Sequence, residues 1–191
     1  MTSRRVAFVP PVPALLPSYG GLADPVAELR AACLDATRWL VDDGPPDVAV
    51  LGDPVSTAEA ARGVQRSLSL RVADELLDAV GHRGRRGTDP QQSPAWLVLA
   101  NGSARRGEKA PGHLDDRAFG FDESLGKALA AGDAAGLADL DEQLATELLT
   151  AGSSALRSAG AGIRGRVRAE TWFSGDPFGV QYWVVTWQCG S

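Results

Sequence analysis

Histidine is nearly missing from this chain, with two in 191 residues, His82 and His113. A non-haem iron oxygenase needs two imidazoles and a carboxylate, and a hydrolytic zinc commonly takes three protein ligands. Either site would consume both histidines and leave none for proton transfer. Each lies in a polar stretch that reads as exposed surface, and no HExxH or CxxC motif accompanies them. Cysteine is as scarce. Cys33 falls inside a predicted helix and Cys189 close to the end, at no metal or redox spacing. The simplest setting is reducing and cytoplasmic. Long apolar runs are missing too: no stretch approaches the roughly 18 residues that span a bilayer. The opening MTSRRVAFVPPVP is broken by prolines before a signal-peptide core can form. A net charge of −5 lacks the dominant basic face of a nucleic-acid platform. No G-x-S-x-G occurs, and around Gly102-Ser103 and Gly107 neither G-x-x-x-x-G-K-[ST] nor G-x-G-x-x-G is present, so no nucleophile elbow or phosphate loop is written there.

What is present suits an ordinary globular chain. Hydrophobic residues make up 44% and charged residues 23%, enough to bury a core, and 191 residues fit one domain, taken as 1–191. Short apolar runs at Val6–Val9, Val48–Leu51 and Trp96–Leu99 read as strands buried on both faces. Between the first two, Val26, Leu29, Cys33, Ala36 and Leu40 recur at helical spacing, with Asp24 as N-cap before Pro25 and an end near Asp43-Gly44, where Pro45-Pro46 enforces the break. Such a unit implies a right-handed crossover and parallel pairing. Thr57–Arg62 gives a turn or two of helix. Leu70–Val80 is a firmer one, and His82–Pro94 is a basic loop, read as a solvated connection or an anion site. Further on, Phe121–Ala131 is helical and Asp133 opens another unit. Leu137, Leu140, Leu144 and Leu148 predict one amphipathic helix over 135–150, and 151–165 a short helix and turn. Val167–Phe173 and Val180–Gln188 form a final strand pair rich in aromatics, which pack the core, line a pocket or cover a subunit interface. The expected fold is α/β: a central mostly parallel or mixed sheet flanked by helices on both faces, with a C-terminal strand pair.

The chain is organised around residues 95–117, where an apolar strand runs into a loop crowded with opposite charges. Open α/β sheets bind ligands at the carboxyl ends of their strands. Asp53, Asn101, Ser103, Arg105, Glu108 and Lys109 are therefore the candidate ligand-binding residues, for a small polar or anionic ligand. Equally, Arg105 or Arg106 could pair with Glu108, Asp115 or Asp53 and staple the loop.

Three places resemble the class III extradiol ring-cleavage dioxygenase superfamily of the LigB type, in particular its short, alanine-rich actinobacterial members. They are Pro11-Val12-Pro13-Ala14-Leu15-Leu16-Pro17; Asn101-Gly102-Ser103-Ala104-Arg105-Arg106 with Glu108-Lys109-Ala110-Pro111-Gly112; and Asp176-Pro177-Phe178-Gly179-Val180-Gln181-Tyr182. The resemblance implies a mixed sheet flanked by helices. In active members it also implies a ferrous iron on two histidines and a glutamate, with another histidine for proton transfer. Active members read Pro-His-Pro-Pro at the first motif and Ser-His-Arg at the second; here those histidine positions are Val12 and Ala104. Neither His82 nor His113 falls where the second histidine ligand belongs, and Glu170 is the candidate for the carboxylate position. Valine has no lone pair for iron and alanine cannot move a proton.

The first expectation is thus a dioxygenase-like protein without metal or ring cleavage, keeping a polar cleft at the ends of its first three strands. The second is an interaction or scaffold protein that forms a homodimer through its C-terminal strands. The third is an enzyme of altered chemistry using Arg105, Glu108 and Lys109. No nucleic-acid or membrane partner is expected.

Overall fold

A computed structural model describes residues 4–19, 23–42 and 47–190. One six-stranded mixed sheet is formed by β1 (Arg4–Val9), β2 (Asp47–Leu51), β3 (Arg85–Gly87), β4 (Ala95–Leu99), β5 (Val167–Gly175) and β6 (Tyr182–Cys189), in the order β3-β2-β4-β1-β6-β5. The first four strands are mutually parallel, while β6 runs antiparallel to β1 and β5 antiparallel to β6. The expected pairing of β1 with β2 does not occur: the two are parallel, but β4 lies between them and pairs with both.

Alternation along the strands divides the core in two. Ala7, Val9, Val48, Val50, Leu97 and Leu99 face helices α1 (Ala27–Val41) and α3 (Leu68–Ala79). Val6, Phe8, Ala49, Leu51, Trp96 and Val98 face α4 (Arg117–Ala131), α5 (Ala134–Ala138), α6 (Glu142–Glu147) and α7 (Ser153–Gly162). A short α2 (Thr57–Ala61) precedes α3. Burial on both faces is why the inner strands are continuous apolar runs. In the C-terminal pair, Tyr182, Trp183 and Trp187 are core residues, and Trp187 meets Phe8 edge-on at 4.8 Å while its indole N–H donates to the Leu129 carbonyl at 2.7 Å. Trp172 and Phe178 are exposed.

Four expectations change. Residues 135–150 are two short helices rather than one. Asp133 accepts from the Gly136 N–H and Asp141 from the Leu144 N–H, so a side-chain cap restarts the helix where leucine spacing alone predicted continuity. The stretch 82–94 holds a strand, β3, paired with β2 at the sheet edge. Its arginines are matched, Arg85 to Asp47 at 2.9 Å and Arg86 to Asp74 at 3.1 Å and Asp78 at 2.5 Å. It carries no apolar signature because this edge is wet. Asp24 does not cap α1, which starts at Ala27; it accepts from the Val26 N–H and from Arg30. Helix α4 begins at Arg117, earlier than its apolar period indicated, with Asp115 accepting the Arg117 N–H at 3.0 Å. The expected end of α1 at Asp43-Gly44 and the Pro45-Pro46 break lie outside the described residues.

Candidate functional site

The loop after β4 is stitched in place by backbone. Gly102 N–H donates to the Gln181 carbonyl at 2.7 Å and Gln181 N–H to Ser103 at 3.0 Å; Asn101 N–H donates to Ala151 and Ala104 N–H to Leu148. Only glycine fits at 102, since a Cβ there would lie 2.5 Å from Asp122 Oδ1 and 2.7 Å from both Gln181 Cβ and Trp183 Cη2. With the loop fixed, its side chains leave towards both faces of the sheet, Asn101 and Ala104 to one and Ser103 and Arg106 to the other.

Towards α1 and α3 lies a cleft of about 630 Å³ at the carboxyl ends of β1, β2 and β4. Pro11 and Pro13 come from the end of β1, Asp53 and Pro54 from the end of β2, and Asn101 and Ala104 from the loop after β4. Ser56 and Glu59 of α2, Ser67 and Ser69 at the start of α3, and Val180 and Tyr182 complete the wall. Asp53 Oδ2 accepts from the Gly152 N–H at 2.8 Å and Asn101 Oδ1 from the Ala151 N–H at 2.9 Å, so both anchor the segment that enters α7. Glu59 is held in a capping box: its Oε2 accepts from the Ser56 N–H at 2.8 Å and hydroxyl at 2.7 Å, which lowers its carboxyl below the ordinary value. Ser69 sits against Gly52, where a Cβ would come within 2.6 Å of Ser69 Cβ; glycine permits that approach. Ser69 and Tyr182 are largely covered, at 3% and 5% exposed; their hydroxyls have no hydrogen-bond partner among the described residues, and neither oxygen is sealed from solvent. Burial raises the Tyr182 phenol to about 12, so it stays protonated.

Towards α4 the loop makes a closed polar network. Ser103 is fully buried and outside the cleft; its N–H donates to Asp122 Oδ1 and its hydroxyl to Oδ2, each at 2.7 Å. Arg106 reaches the same Oδ2 at 3.2 Å and Asp176 at 2.8 Å, with its guanidinium 4.8 Å above the Phe119 ring. Burial pushes the Asp122 carboxyl up, against the hydrogen bonds from Ser103 and Arg106. The staple is thus real, but its acids are Asp122 and Asp176 in place of Glu108, Asp115 or Asp53. Sequence reading missed them because they lie on α4 and before β6, far along the chain.

Of the six candidate residues, the structure brings Asp53 and Asn101 together at the cleft. Ser103 faces the other way. Arg105 packs its stem against Gly112, and Glu108 and Lys109 are exposed on the loop without contributing to the cleft wall. Glu59 and Ser69 line the cleft and were not selected from sequence, and Tyr182 is the one of the C-terminal aromatics, read as core, pocket or interface, that lines it; Ser56-x-x-Glu59 is legible as a capping box, while nothing local marks Ser69. His82 is buried at the end of α3, contrary to the expected exposure, and its carbonyl accepts from Arg86; His113 is exposed, with Nδ1 3.3 Å from the Glu108 carbonyl.

The donor set at the cleft does not fit a ferrous ion on two imidazoles and a carboxylate. Val12 is a core residue, Ala104 is part of the cleft wall, and no histidine lines it. Glu170 lies on the exposed edge strand β5, opposite Thr186, away from this wall. No described helix is long and apolar enough to cross a membrane. Compared with known proteins, the chain matches no protein-family model and no curated protein.

Proposed function

We propose that this is an extradiol-dioxygenase-like α/β protein that works as a small-molecule binder, without iron and without ring cleavage. One observation carries the reading: the cleft at the ends of β1, β2 and β4 is lined by Ser69 and Tyr182, whose hydroxyls have no hydrogen-bond partner among the described residues, while Ala104 stands in its wall where the resemblance calls for an imidazole. Groups that could recognise a ligand are retained and the group that would move protons is not. The test is metal analysis of desalted protein together with oxygen uptake in the presence of catechols. The expected result is no stoichiometric iron and no oxygen consumption; iron that survives desalting in equal proportion to protein overturns the reading.

A second reading, a scaffold that forms a homodimer through its last strands, draws on one feature. β5 is a nine-residue edge strand with Trp172 exposed at an irregularity between Thr171 and Phe173. Exposed edges of this length invite pairing. Sedimentation at several concentrations tests it, and a strict monomer removes it.

A further inference from the structure

We infer that the cleft at the ends of β1, β2 and β4 selects a cation, namely a small molecule with a protonated amine head on an apolar body. This rests on the binding-cleft reading above and names the ligand class for the same site. Among the described residues, the charged side chains lining the cleft are Asp53 and Glu59, with no Lys, Arg or His beside them. Each carboxylate is held from one side. Asp53 gives Oδ2 to the Gly152 N–H and Glu59 gives Oε2 to Ser56, which leaves Asp53 Oδ1 and Glu59 Oε1 without donors among the described residues. The bonds from Ser56 keep Glu59 ionised at neutral pH.

Two anchored carboxylates in a concave site with apolar walls focus a negative potential, which concentrates cations and repels anions. Pro11, Pro54, Leu68 and Val180 give the wall its apolar parts, and Ser67, Ser69, Asn101 and Tyr182 add uncharged hydrogen-bonding points. An ammonium group brings donors only, which is what carboxylate oxygens can accept, and the proline and aliphatic walls suit a hydrocarbon body. An anionic ligand, the alternative that the basic loop suggested, would meet no cation here: Arg105 and Lys109 are not in the wall, and Arg106 is spent on Asp122 and Asp176.

Benzylamine, benzyl alcohol and benzoate share a ring and differ in head charge. Titration of each into the full chain, followed by amide chemical shifts in NMR, tests the inference directly. Benzylamine is expected to shift the amides of Ser69, Asn101 and Ala104, to bind about tenfold more tightly than benzyl alcohol and to weaken with added salt, with benzoate inert. Asp53→Asn retains an oxygen for the Gly152 N–H and is expected to lose most of that tenfold preference. Glu59→Gln, on the exposed side of the cleft, does the same to a smaller degree and serves alone if Asp53→Asn does not fold. An amine that binds no better than the alcohol, or a benzoate that binds as well, overturns the cation inference and leaves the binding cleft standing. Amides at the cleft that respond to none of the three probes end both.

Discussion

Two polar clusters leave the loop after β4 in opposite directions and differ in how completely they are satisfied. Under α4, Ser103, Asp122, Arg106 and Asp176 meet one another donor to acceptor, and the carboxylate at the centre is 2% exposed. On the other face, Asp53 and Asn101 each give one oxygen to the backbone that enters α7, while the hydroxyls of Ser69 and Tyr182 have no partner among the described residues. Unpaired hydroxyls in the wall of an open cleft offer another molecule hydrogen-bonding points that a closed network does not. The first cluster stabilises the loop; the second is the site. Charge density in the sequence pointed to the first.

Substitutions that remove one partner from each cluster break this contrast or sharpen it. The largest loss is expected from Asp122→Ala, which leaves the buried Ser103 hydroxyl and N–H without their acceptor and Arg106 with Asp176 alone; the unfolding free energy should fall by about 3–5 kcal/mol in chemical denaturation. Ser103→Ala should cost about 1–3 kcal/mol by cutting the donors to the buried Asp122 from three to two. Ser69→Ala, equally buried but unpaired, should stay within about 0.5 kcal/mol of the parent. A Ser69 loss as large as that at Ser103 would erase the distinction between staple and site. The smallest effects belong to Glu108→Gln and Lys109→Ala, expected within about 0.5 kcal/mol in stability and without influence on benzylamine binding, because both side chains are exposed outside the cleft.

A pH series adds a separate check on burial. His82 is held below its ordinary value of 6.5, first by burial and then by the neighbouring charge of Arg86. Its folded state therefore resists protonation that the unfolded chain accepts. The contribution is complete above pH 6.5 and erodes as pH falls below that value towards the folded pKa. The denaturation midpoint should drop more steeply in the parent than in His82→Gln between about pH 7 and pH 5. Parallel curves would place His82 in solvent, as its polar sequence context suggested.

Much of the sheet could be read from the chain. Val6–Val9, Val48–Leu51 and Trp96–Leu99 are apolar because they are covered on both faces, and that double burial leaves a plain mark in sequence. Arg85–Gly87 left none, since a short wet edge strand needs no hydrocarbon. The leucines of 135–150 were legible as core, whereas the break at Asp139–Asp141 depended on a cap competing with the helix. The site was harder. Consecutive residues of a loop give no hint of which face each will take, so Asn101 reached the cleft and Ser103 did not. Ser69 and Tyr182 come from a helix and a strand remote from the charged loop, and only the assembled sheet sets them beside Asp53.

The position of β1 has a consequence for assembly. Its parallel neighbour β4 is made midway along the chain, but its other neighbour is β6, with Arg4 opposite Cys189. One whole side of the central strand therefore stays unsatisfied during synthesis until the segment near residue 189 emerges. Closure of so long a loop is slow, so the nascent sheet presents an apolar seam that other chains or chaperones can reach. The same adjacency makes the molecule a good subject for circular permutation, because a short linker from the end of β6 to the start of β1 would let that seam close early.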